Sequence, residues 1–125
     1  MRFYLEDPMA GGFSAFGPVP SVRIRENSLQ IGPQNQEIAC FQRGQWSTAQ
    51  GAYAVLRVPS PVTLSFEEGE VSETYGPFDQ LLVIGGVLRY GEEPNAILAR
   101  LDQSSGRWEV GAERLSFATL VMEPL

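Results

Sequence analysis

The sequence predicts an all-β fold: an antiparallel β-sandwich or small β-barrel of roughly ten short strands, with little or no helix. Two observations carry this. Short runs of alternating apolar and polar residues recur along the chain, at the period of two that a half-buried strand requires. Gly, Pro and Asn punctuate those runs about every ten residues, too often for helices of ordinary length.

Arg2–Glu6 reads as the first strand. Residues 7–20 carry Gly11, Gly12 and Gly17 with Pro8, Pro18 and Pro20. They are expected to form a long loop, because Pro and Gly interrupt both helix and central strand. Met9, Phe13, Phe16 and Val19 make that loop apolar, so it is expected to cover a hydrophobic surface, its own or a partner's. Val22 and Ile24 alternate with Arg23 and Arg25, and Leu29 and Ile31 follow a turn at Glu26–Ser28, which reads as a hairpin. Glu37–Gln42 and Gln45–Thr48 flank a turn at Arg43–Gly44. Ala52–Val58 is apolar on nearly both faces and reads as a central strand. Val62, Leu64 and Phe66 alternate with Thr63, Ser65 and Glu67, and Glu68–Gly69 turns into Glu70–Tyr75.

Phe78–Tyr90 reads as the longest strand, with Gly85–Gly86 marking a bulge, bend or close backbone approach. Ala96–Asp102 is read as a strand in preference to a short helix. The segment Leu101–Trp108 looks like a hairpin loop in which Gly106 supplies a positive φ. Leu115–Met122 is the last strand. No internal repeat is evident, which leaves one domain over residues 1–125.

Composition excludes more than it identifies. The chain has no His and no Lys, one Cys and three Asp. A Ser-His-Asp triad and a Cys-His pair lack their base. A Schiff base, a Ser-Lys dyad and a P-loop lack their lysine. A lone cysteine, Cys40, makes neither a disulfide nor a zinc cluster, and its apolar neighbours predict a buried thiol. No cofactor and no metal site are expected.

The net charge is −6. Residues 21–60 sum to +2 and residues 61–95 to −6. An acidic chain without Lys predicts neither a nucleic-acid partner nor an anionic membrane partner. The segment after Met1 reaches Glu6 and Asp7 almost at once and lacks the apolar run of a secretory signal, which predicts a cytoplasmic protein.

Carboxylates are the chemistry left. Glu67, Glu68, Glu70 and Glu73 form one group and Glu92 and Glu93 another; paired carboxylates do acid–base work or hold a hard cation. At predicted turns, however, acidic residues are ordinarily solvated. Trp46 and Trp108 are expected in the core. Contact residues for a ligand or partner are expected at Arg89, Tyr90, Glu92 and Glu93, at the end of the longest strand. Arg23 and Arg25, on one strand face, and Phe13 and Phe16, in the apolar loop, complete the set. The expectation is a non-catalytic binding or assembly module that takes a protein partner or a second copy of itself, or a small ligand. The alternative is a small barrel enzyme that uses glutamate carboxylates, with or without a divalent cation.

Overall fold

The computed structural model describes residues 1–91 and 96–125. Eight strands come from the first half of the chain: β1 (Phe3–Asp7), β2 (Gly12–Phe16), β3 (Val22–Arg25), β4 (Ser28–Ile31), β5 (Gln36–Gln42), β6 (Gln45–Thr48), β7 (Gly51–Tyr53) and β8 (Val55–Val58). Eight come from the second: β9 (Val62–Glu68), β10 (Val71–Phe78), β11 (Leu81–Ile84), β12 (Val87–Tyr90), β13 (Ala96–Asp102), β14 (Arg107–Val110), β15 (Leu115–Phe117) and β16 (Thr119–Pro124). The described residues contain no helix.

Two antiparallel sheets result. Sheet I has the order β10-β9-β16-β3-β4-β5-β6-β7, and sheet II the order β15-β14-β13-β12-β11-β8-β1-β2. Both end in edges and neither closes on itself, so the fold is a sandwich and not a barrel. Their inner faces share one core. The alternation seen in the sequence places it: along β9, Val62, Leu64 and Phe66 are buried and the residues between them are not. Phe66 of sheet I meets Trp108 and Phe117 of sheet II at ring-centroid distances of 6.1 and 5.9 Å.

The topology is an internal duplication. Adding eight to each strand number of the first half reproduces every pairing of the second. β1 pairs with β2 and β8, as β9 pairs with β10 and β16. β3 to β7 form a meander, as β11 to β15 do. The halves also exchange strands: β8 sits beside β11 of the other half, and β16 beside β3. Details repeat with the topology. A bulge falls between Leu29 and Gln30 in one half and between Leu88 and Arg89 in the other. Phe41 N–H donates to Asn27 O at 2.7 Å, and Leu101 N–H donates to Gly86 O at 2.6 Å. Phe16-Gly17-Pro18 answers Tyr75-Gly76-Pro77, Trp46 answers Trp108, and Ala54-Val55-Leu56 answers Ala118-Thr119-Leu120.

Several expectations are corrected. A repeat is present. Its equivalent residues are 59 apart at Leu29/Leu88, 60 at Ala39/Ala99, 62 at Trp46/Trp108 and 64 at Ala54/Ala118, because the second half's loops lengthen stepwise. Residues 7–20 are not one loop, since Gly12–Phe16 pairs along β1. Sixteen strands replace roughly ten because three predicted strands are each two and because Gly12–Phe16 and Arg107–Val110 are strands as well. Gly85 and Gly86 (φ 56° and 77°) are the two positive-φ centres of a hairpin turn and not a bulge, so β11 and β12 are separate, while the close backbone approach expected there is met at Gly86, where a Cβ would lie 3.0 Å from Leu101 O. At Ala54 and Ala118 the chain crosses between sheets, which divides β7 from β8 and β15 from β16.

Candidate functional site

The two sheets have equivalent scaffolds and unequal outer surfaces. Cross-strand register gives one outward row on sheet II as Phe13–Glu6–Val55–Ile84–Val87–Arg100. The equivalent row on sheet I is Ser72–Glu67–Thr119–Arg25–Ser28–Cys40. Where sheet I carries Ser, Thr and Arg, sheet II carries Phe, Val and Ile. Ile84 and Phe13 are 40% and 66% exposed. Ile97, opposite Arg89, is 44% exposed.

Equivalent depressions show the same divergence. On sheet I, Arg23, Arg25, Glu67, Gly69, Ala118 and Thr119 line one of about 240 Å³. On sheet II, Glu6, Pro8, Val55, Arg57, Leu82 and Ile84 line one of about 300 Å³. Leu82 and Ile84 stand where Arg23 and Arg25 stand in the other half. The charges of the sheet II depression are satisfied locally. The Arg57 guanidinium donates from Nε to the Glu6 carboxylate and lies 4.8 Å from the Tyr4 ring centroid. Its surroundings are therefore apolar groups with an internally paired ion, an arrangement that lowers the cost of covering the face.

The predicted contact residues do not form one site. Arg23 and Arg25 share the outer face of sheet I, as their spacing requires. Arg89 lies on the outer face of sheet II, opposite Leu82. Tyr90 points the other way and packs on Phe78, with centroids 4.7 Å apart. Phe13 is outward, whereas Phe16 stacks on Phe3 at 5.0 Å and belongs to the core margin. Glu92 and Glu93 lie outside the described residues.

The acidic group disperses. Glu67 is outward on β9. Glu68 accepts from Arg107 Nη2 and from Ala118 N–H, both at 2.8 Å. The Arg107 guanidinium holds its carboxyl below the ordinary carboxylate range, opposite to what a general acid requires. Glu73 accepts from the Tyr75 hydroxyl at 2.7 Å, a bond that pushes the phenol up. Among the described residues no three acidic or Cys side chains gather as metal ligands. Trp46 and Trp108 are fully buried as expected. Cys40 is only half-buried, because it falls on the outer face of sheet I, in the row of Ser28 and Ser47. Among the described residues no helix is long and apolar enough to cross a membrane. The surface asymmetry between the sheets follows from the duplication, and sequence reading missed it because it missed the repeat.

No protein-family model matches the chain, and no curated protein or solved structure matches it.

Proposed function

We propose that the protein is a non-catalytic binding or assembly module of the cytoplasm whose working surface is the outer face of sheet II. The observation that supports this is the internal comparison. One scaffold, used twice in one chain, carries Phe13, Val55, Leu82 and Ile84 on the outer face of sheet II where sheet I carries Ser72, Thr119, Arg23 and Arg25. Contiguous exposed apolar area is the ordinary mark of an interaction surface. A flat sheet face with shallow depressions suits a protein surface, or a second copy of this chain, better than an enclosed small ligand. Neither nucleic acid nor anionic membrane fits this face or the net charge of −6.

The test is a pair of substitutions, Leu82→Asp with Ile84→Asp, read by native mass spectrometry of the purified protein. Wild type is expected to appear as a multiple of the 13.8 kDa chain or with a bound protein. The variant is expected to stay folded by circular dichroism and to lose the association that this face makes. Wild type and variant both appearing as bare monomers at every concentration, with equal solubility, would overturn the reading.

A further inference from the structure

The four sheet edges are not alike. β7 and β15 are three residues each, too short to template another strand. β10 is eight residues but carries Glu73, lacks an N–H at Pro77 and shifts register between Tyr75 and Phe78. Short length, charge, proline and bulges are the devices that keep edges from pairing with other chains. β2 shares the proline and the register shift, at Gly17-Pro18 before the Met1–Val19 backbone pair, but not the charge: Ser14 stands where β10 has Glu73. Its five residues, Gly-Phe-Ser-Ala-Phe, contain no charge and no proline, and they pair with β1 in unbroken register. β2 is the structural equivalent of β10, and the two edges share the Gly-Pro interruption but differ in charge, since Glu73 of β10 is replaced by Ser14 in β2. The uncharged edge also borders the apolar face, since Phe13 begins the row that continues through Val55 and Ile84.

We propose that β2 pairs antiparallel with β2 of a second copy about a two-fold axis through Ser14, joining two copies of sheet II into one continuous sheet. This rests on the assembly reading above and adds an edge contact to its outer face: Leu82 and Ile84 on β11 lie three strands from β2, so the edge dimer itself is expected to survive Leu82→Asp/Ile84→Asp. The strand is self-complementary in that register: Phe13 of each copy faces Ala15 of the other, and Gly12 faces Phe16. A two-fold contact demands such self-matching. The Ser14 hydroxyl points inward to the Tyr53 hydroxyl at 2.8 Å, which leaves the backbone edge clear of it. Charge favours this contact over others. On a chain of net charge −6, copies repel across most surfaces, whereas this strand brings no like charges together. The turn that bears Met9, 98% exposed, then lies beside Gly17–Pro18 of the other copy. Backbone pairing of one short strand predicts a small, concentration-dependent interface.

The experiment uses two full-length double variants, Phe13→Lys with Ala15→Lys and Phe13→Glu with Ala15→Glu, read by native mass spectrometry across a concentration series. Wild type is expected at twice the 13.8 kDa chain mass. Each variant alone is expected to be a folded monomer, because the register sets like charges opposite one another. An equal mixture of the two is expected to restore the dimer as a heterodimer, a result that misfolding does not produce. A wild-type monomer, a dimer that survives in either variant alone, or a mixture that stays monomeric overturns the proposal. Loss of the dimer in Leu82→Asp/Ile84→Asp but not in the edge variants would overturn this pairing and leave the assembly reading standing.

Discussion

Glu68 shows how much one side chain does here without chemistry. It ties β9 of sheet I to Arg107 of sheet II and to the backbone at Ala118, where the chain passes from β15 into β16. Its folded pKa is lowered, so its contribution is present above the unfolded carboxylate value, 4.5, and is lost as pH falls through the lowered folded value. Glu68→Gln should therefore lower the melting temperature at neutral pH. The gap from wild type should close as a pH series of melts descends below the folded pKa. An equal gap at every pH would mean that the carboxylate charge is not what holds the crossover. Trp46 and Trp108 add a second residue-scale feature. Both indoles are fully buried, and neither Nε1 has a hydrogen-bond partner among the described residues. An unmatched buried donor costs about 1–3 kcal/mol. The burial of a ring that size offsets the cost, and both halves keep the same compromise.

At the scale of elements, the loop between β13 and β14 is what locks the halves at one end. Asn27 Nδ2 donates to Gln103 O at 2.8 Å, and Gly44 N–H donates to Gln103 Oε1 at 3.0 Å. The loop thus covers two hairpin turns of the first half. Gly106 makes the approach possible. Its φ is 73°, and a Cβ there would meet Glu26 Cα at 2.8 Å, a backbone atom with no rotamer to yield. Gly106→Ala should destabilise the fold by about 1–2 kcal/mol from the left-handed conformation alone, with the collision adding to that. Chemical denaturation checks it: an unchanged midpoint would mean that the loop does not press on the turn at 26–27. Gly86 is less severe, with Leu101 O at 3.0 Å and the Phe41 ring at 3.3 Å.

For the molecule as a whole, strand exchange makes the halves inseparable. β1 and β8 complete the sheet of the second half, and β9 and β16 complete that of the first. Neither half can bury its share of the core while the other is unfolded. Thermal unfolding should accordingly be a single transition with equal calorimetric and van't Hoff enthalpies. Two resolved transitions would show that the halves fold independently despite their shared sheets. The same interlocking frees the outer faces to diverge, because the core is secured by the inner rows of both sheets. Arg23 and Arg25 on sheet I and Leu82 and Ile84 at the equivalent places on sheet II are the result.

What was legible in the sequence was local. Period-two alternation at Val62–Phe66 and the turn residues at Glu26–Asn27 and Arg43–Gly44 determined an all-β chain, because strand period and turn φ depend on near neighbours alone. The absence of His and Lys likewise excluded whole reaction classes before any coordinates. Tertiary structure alone decided sandwich against barrel, since closure is a matter of which strands become edges. It alone revealed the duplication, because loops that lengthen from one equivalent residue to the next erase a fixed period while leaving strand pairing intact. It also separated Phe13 from Phe16 and Arg89 from Tyr90, residues near in sequence that adopt opposite sheet faces. The contrast between β2 and β10 belongs to that level too: an edge is defined by the strand missing beside it, and no run of five residues records its own neighbours.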